Sequence, residues 1–152
     1  MTEEEAFRMP PLTLAYVGDA VWEINVRTFL VMNGHRRPDS LHKLAVELVR
    51  AGAQAYRLRE IQEVLTERER DVIRRGRNAK SGSIPKNARV TDYRASTGFE
   101  AMLGYLFLTG QTGRLQEIIQ MLLALDDRSD GAKGSSAKRA EGSAHASEKP
   151  EE

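Results

Sequence analysis

STGFEAMLGYLFLTG, residues 96–110, contains a run from 101 to 108 with no polar side-chain group except the Tyr105 hydroxyl. A helix that is apolar all round has no face to give to water, so this segment reads as the central helix of a helical core. Glu100 heads the run. An isolated ionised carboxylate in apolar surroundings is strongly disfavoured unless it is paired, hydrogen-bonded or bound to a cation. Gly104, one turn later, lets another helix come close. Thr97-x-x-Glu100 is also a capping-box pattern, and on its own that bland reading is favoured.

A second carboxylate raises the same question. AYVGDAVWE, residues 15–23, reads as the start of an amphipathic helix, with Asp19 in its apolar part. Val17, Ala20, Val21 and Ile24 recur at helical spacing and predict its buried face. Asp19 near a helix start would complement the macrodipole, and Gly18 would then be a loop residue. Taken alone, this too is the favoured reading.

The remaining apolar patterns are also helical. Ser40 is the expected N-cap of a helix carrying Leu41, Leu44, Ala45 and Leu48. Leu58, Ile61 and Leu65 mark another. Thr66 and Glu69 form a T-x-x-E capping box that opens a helix through Val72 and Ile73. Leu115, Ile118, Ile119, Leu122 and Leu125 mark the last. TFLVM, residues 28–32, has strand composition but no visible pairing partner. KSGSIPKNARV, residues 80–90, with Gly82 and Pro85, reads as a loop. The expected fold class is all-α.

The chain has 152 residues, 40% hydrophobic and 30% charged, enough for one domain with a core. It has no cysteine, which excludes disulfides and thiolate metal sites and fits a reducing compartment. The first residues, MTEEEAFRMPP, are acidic and lack the apolar segment of a signal peptide. No apolar run reaches membrane-spanning length, so the expected location is the cytoplasm. From residue 128 onward there is no Leu, Ile, Val or aromatic residue. Such a segment cannot offset its own ordering entropy, so the expected organisation is a domain over 1–127 and a disordered tail over 128–152.

The formal net charge is only +1. The distribution is more telling. Arg74, Arg75, Arg77, Lys80, Lys86, Arg89 and Arg94 stand against Asp92 alone, a local charge of +6. Such runs are usually solvated faces. This one leads directly into the Glu100 helix, which favours phosphate contact. None of the three histidines, His35, His42 and His145, has metal-ligand spacing.

Taken together, the two carboxylate motifs shift the balance. Val17-Gly18-Asp19-Ala20-Val21 and Phe99-Glu100-Ala101 with Gly104, about 80 residues apart, resemble the two signature helices of the ribonuclease III catalytic domain. The resemblance spans residues 8 to 127. It is nearest to the short bacterial branch called Mini-III, which has no double-stranded-RNA-binding domain. The 25 residues after Asp127 are too few and too polar for one. RRGRNAK (74–80), the Pro85 loop and YRASTGFEA (93–101) also look like that branch. The longer enzymes carry two further acids, at the positions held here by Ala15 and Thr97. Fewer anionic ligands leave more of a metal's coordination to water or RNA phosphate.

The resemblance implies a ribonuclease III endonuclease-like helical bundle. It implies an endoribonuclease that cuts double-stranded RNA with Mg²⁺, acts as a homodimer and matures 23S ribosomal RNA precursor ends. Asp19 and Glu100 would be the catalytic metal ligands, with Glu23 more a salt-bridge partner than a ligand. Arg74, Arg75, Arg77, Asn78, Lys80, Lys86 and Arg94 would bind RNA, through phosphates and 2′-hydroxyls. Trp22 is expected in the core. One rival reading is a non-catalytic, ribosome-associated RNA-binding module that has lost its acids. A weaker one is a helical protein-interaction domain.

Overall fold

The computed structural model describes residues 1–80 and 82–125, so the expected tail and His145 lie outside the described residues. Seven α-helices follow in chain order: α1 Glu3–Arg8, α2 Pro11–Met32, α3 Pro38–Val49, α4 Ala51–Glu60, α5 Glu67–Asn78, α6 Val90–Leu108 and α7 Thr112–Ala124. A 3-10 turn, Gln62–Val64, separates α4 from α5. No strand occurs among the described residues.

Helix α6 is the axis of the fold. Phe99, Ala101, Met102, Leu103, Tyr105 and Leu106 are buried, as expected of a helix with no polar face, but Phe107 in the same run is 55% exposed. Helices α2, α5 and α4 make its main contacts. It ends where Gly110 takes a φ of 68°, a conformation that costs glycine little.

Helix α6 begins ten residues before Glu100, at Val90, with Asp92 in its first turn. The Thr97–Glu100 capping box therefore does not exist. The Thr97 hydroxyl donates instead to the Tyr93 carbonyl, 3.1 Å away, inside the helix. Helix α2 likewise begins at Pro11, so Asp19 is mid-helix and Gly18 is no loop residue. Proline suits a first turn, because the N–H it lacks would have no partner there. The same effect starts α3 at Pro38, which leaves Ser40 inside the helix rather than capping it.

TFLVM is not a strand but the last turns of α2. Its β-branched composition yields to the burial of Val26 and Leu30 along the same helix. The buried face of α2 also differs from the expected one. Leu14, Gly18, Val21 and Trp22 point inward, while Ile24 is 61% exposed. Apolar residues lie on two sides of this helix, and α6 selects the side with the glycine. Trp22 is in the core, edge-on to Phe99 with ring centroids 5.1 Å apart, and its Nε1 donates to the Leu48 carbonyl. Ile61 and Leu65 are buried, but they flank the 3-10 turn beyond α4.

The Thr66–Glu69 box forms as expected. The Glu69 N–H donates to Thr66 Oγ1 and the Thr66 N–H donates to Glu69 Oε2. Glu69 is buried, and Arg114 grips it with two hydrogen bonds of 2.7 and 2.9 Å. Burial works against its ionisation, but the Arg114 and Thr66 hydrogen bonds prevail and hold its carboxyl below the usual range.

Candidate active site

Helices α2 and α6 meet backbone to backbone. A Cβ on Gly18 would stand 1.7 Å from the Glu100 carbonyl oxygen, and one on Gly104 would stand 1.9 Å from the Leu14 carbonyl oxygen. Real Cβ atoms never approach so closely, so each position requires glycine. The approach expected from Gly104 is present, and Gly18 supplies the matching half. Asp19 follows Gly18 directly, so this crossing brings α2 at Asp19 near α6 at Glu100.

The Glu100 carboxyl lies within electrostatic reach of Asp19. The Glu100 carboxyl is pushed up to about 7, first by burial and then by the negative charge of Asp19. A hydrogen bond from Gln54 Nε2, 3.3 Å from Glu100 Oε1, works in the other direction. Asp19 is raised as well, by burial and then by Glu23. Glu23 itself pairs with Arg27 one turn on. Like charges held together in a partly dry site favour a cation or a proton.

The donor chemistry fits a hard cation. Asp19 and Glu100 offer carboxylate oxygens, which suit Mg²⁺. Gln54 donates from Nε2 to Glu100, and its Oε1 is buried with no hydrogen-bond partner among the described residues. No group of three or more His, Cys, Asp or Glu able to hold a metal occurs among the described residues. Ala15 and Thr97 contribute no acid.

The basic residues divide by position. Arg77, Asn78 and Arg94 line one cleft between α4, α5 and α6, together with Arg59 and Asp92. Ala95, also in its wall, precedes Glu100 on α6 by about 7.5 Å of helix rise. Arg74 is largely exposed and pairs with Asp71. Lys80 and Lys86 are exposed, and neither lines this cleft. Arg75 turns away from it. Its guanidinium donates to the Phe7 and Met9 carbonyls and stacks on the Phe7 ring, so it holds α1 to the domain. His35 and His42 lie outside the carboxylate pair, and His42 instead lines a groove between α2 and α3.

Two residues escaped the sequence reading. Arg59 was outside the contiguous basic run, and α4 carries it to the same cleft. Gln54 shares a helix face with Leu58, and a polar residue on an apolar face was the one available signal.

The Ribonuclease III domain family matches residues 12–111. The chain is similar to a Mini-ribonuclease 3 from Symbiobacterium thermophilum, 53% identical over 112 residues, covering 74% of this chain and 86% of that protein. It is similar to another from Clostridium tetani, 44% identical over 134 residues, covering 88% and 89%. A crystal structure of a protein from Fusobacterium nucleatum superposes with a TM-score of 0.69 at 28% identity, covering 76% of this chain and 93% of that one. With its two signature helices crossing at Gly18 and Gly104, the chain belongs to the ribonuclease III family, in its Mini-ribonuclease 3 branch, and is an endoribonuclease.

Proposed function

We propose that this endoribonuclease cleaves double-stranded RNA with Mg²⁺, as a cytoplasmic homodimer, and that its substrate is the ends of the 23S ribosomal RNA precursor. The observation that carries the chemistry is the pairing of Asp19 and Glu100 across the Gly18 crossing. Neither residue caps a helix, so a structural reason for both acids is missing. When bound there, Mg²⁺ supplies an activated water and relief of charge at the attacked phosphate.

The chain's own residues do the rest. Asp19 and Glu100 hold the cation, and the α2–α6 crossing fixes their separation before substrate arrives. Arg59, Arg77 and Arg94 engage backbone phosphates, and Asn78 donates to the sugar edge. These contacts align the scissile bond with the carboxylate pair. One compact domain presents one such site, and two copies supply one site for each strand. Tyr16 and Ile24 support a two-copy assembly. They are 82% and 61% exposed and two turns apart on α2, on a face that a second copy would cover in such an assembly. The substrate identity and the location rest on the likeness to the Mini-ribonuclease 3 branch alone. Among the described residues no helix is long and apolar enough to cross a membrane.

The deciding experiment is a matched pair on wild type and Asp19→Asn: cleavage of a long RNA duplex in Mg²⁺, and binding of the same duplex in chelator. The variant keeps the shape of the side chain and removes the anion. Its cleavage is expected to fall by several orders of magnitude while binding is retained or slightly tighter. A wild type that cuts no duplex with any divalent cation would favour the non-catalytic RNA-binding module. A variant that cuts at the wild-type rate removes Asp19 from the site.

A further inference from the structure

Gln54 is 1% exposed, on the face of α4 that packs against α6. Its neighbours Ala53 and Ala55 are also buried. A leucine would satisfy packing there, as Leu58 does one turn later. The amide is therefore a costly choice unless both of its ends are used. One end is used, because Nε2 donates to Glu100 Oε1 at 3.3 Å. The other is not, because Oε1 is buried without a donor among the described residues. Only the Nε2 end therefore reaches the Glu100 carboxylate.

Ala15 has no polar side-chain atom, and the Thr97 hydroxyl donates to the Tyr93 carbonyl, so neither can hold Glu100. A further acid would add repulsion to Glu100. A neutral amide donor fixes a carboxylate without adding charge.

We propose that Gln54 is a positioning residue of the metal site, its Nε2 fixing the Glu100 carboxylate in the orientation that receives a divalent cation. This role rests on the Mg²⁺ reading above, and Gln54 acts through Glu100. Partners of this kind commonly change metal affinity ten- to a hundredfold.

The test uses the full chain without RNA and Mn²⁺ as the probe, with free Mn²⁺ followed by electron paramagnetic resonance. Gln54→Leu is expected to bind Mn²⁺ at least about tenfold more weakly than wild type. Its melting temperature in chelator is expected to be unchanged or higher, since an unpartnered buried oxygen is gone. In cleavage assays the Mg²⁺ concentration for half-maximal rate is expected to rise about tenfold, with much of kcat returning at high Mg²⁺. A purely structural role would not give that split. If Gln54→Leu fails to fold, Gln54→Met, which follows the shape of glutamine more closely, takes its place. Failure of both shows that the amide serves the core and overturns the assignment. Mn²⁺ affinity within twofold of wild type in a folded variant also overturns it. If Asp19→Asn abolishes Mn²⁺ binding while Gln54→Leu leaves it intact, only the Gln54 role falls. If wild type binds no Mn²⁺ and cuts no duplex, the metal reading falls and Gln54 falls with it.

Discussion

The Glu100 carbonyl oxygen passes so close to Gly18 that a Cβ there would be only 1.7 Å away. This contact sets the separation of the two carboxylates, because Asp19 is the next residue on α2. Gly18→Ala must push α2 and α6 apart. It is expected to destabilise the domain by about 3 kcal/mol, the cost of overpacking a tight site. Urea denaturation measures this. Gly113→Ala is the control, since a Cβ there meets nothing within 4 Å. A neutral Gly18→Ala would mean that the helices yield easily and that the crossing does not hold the site.

The half-buried Glu100 carboxyl makes stability depend on pH in a defined direction. Its folded value is raised to about 7 by burial first and the Asp19 charge second. An unfolded glutamate titrates near 4.3. Between these values the folded chain keeps a proton that the unfolded chain has released. The stabilisation is therefore full below pH ~4.3 and is lost as pH rises through the folded value. In chelator, wild type is expected to lose on the order of 3 kcal/mol from this group between acid and mildly alkaline pH. Glu100→Gln should lack that component, and Mg²⁺ should restore stability at pH 8 to wild type only. Identical pH profiles for the two proteins would refute this account of Glu100.

Neighbouring arginines on α5 are expected to behave differently. Arg75→Ala loses hydrogen bonds to the Phe7 and Met9 carbonyls and its stacking on Phe7. It should cost about 2 kcal/mol of stability. RNA affinity of the folded variant should stay near wild type. Arg77→Ala and Arg59→Ala should leave stability almost untouched. Each should weaken duplex binding and lower the slope of log affinity against log salt by about 1. Duplex binding in chelator over a range of salt concentrations tells the two classes apart. A reduced slope for Arg75→Ala would place its guanidinium on RNA after all.

Tyr16 tests the two-copy assembly. Its side chain is 82% exposed, so Tyr16→Glu is expected to keep the helical circular dichroism spectrum of wild type. Sedimentation velocity should find wild type as a dimer and the variant as a monomer, and the variant should nick single strands rather than cut both. A variant that sediments with wild type would place the interface elsewhere.

What the sequence by itself determined was local or carried in motifs. The apolar run from 101 to 108 required a central helix. The Thr66–Glu69 box was legible because it closes over three residues. Asp19 and Glu100 stood out as carboxylates in apolar company, and the motifs around them identified the family. The tertiary structure decided what depends on partners far along the chain. The Thr97–Glu100 pattern matches a cap, but the turn begun at Val90 makes it helix interior. Both faces of α2 are apolar, and only the approach of α6 to Gly18 chose between them. Arg75 reads like Arg77 until Phe7, 68 residues away, takes its guanidinium. Gln54 acquires meaning only beside Glu100, 46 residues on. The physical reason is range. Capping and periodicity act within about one helical turn, so they are written in adjacent residues. The choice of face, the burial of a charge and the meeting of ligands are settled by packing between helices, which no single stretch of chain contains.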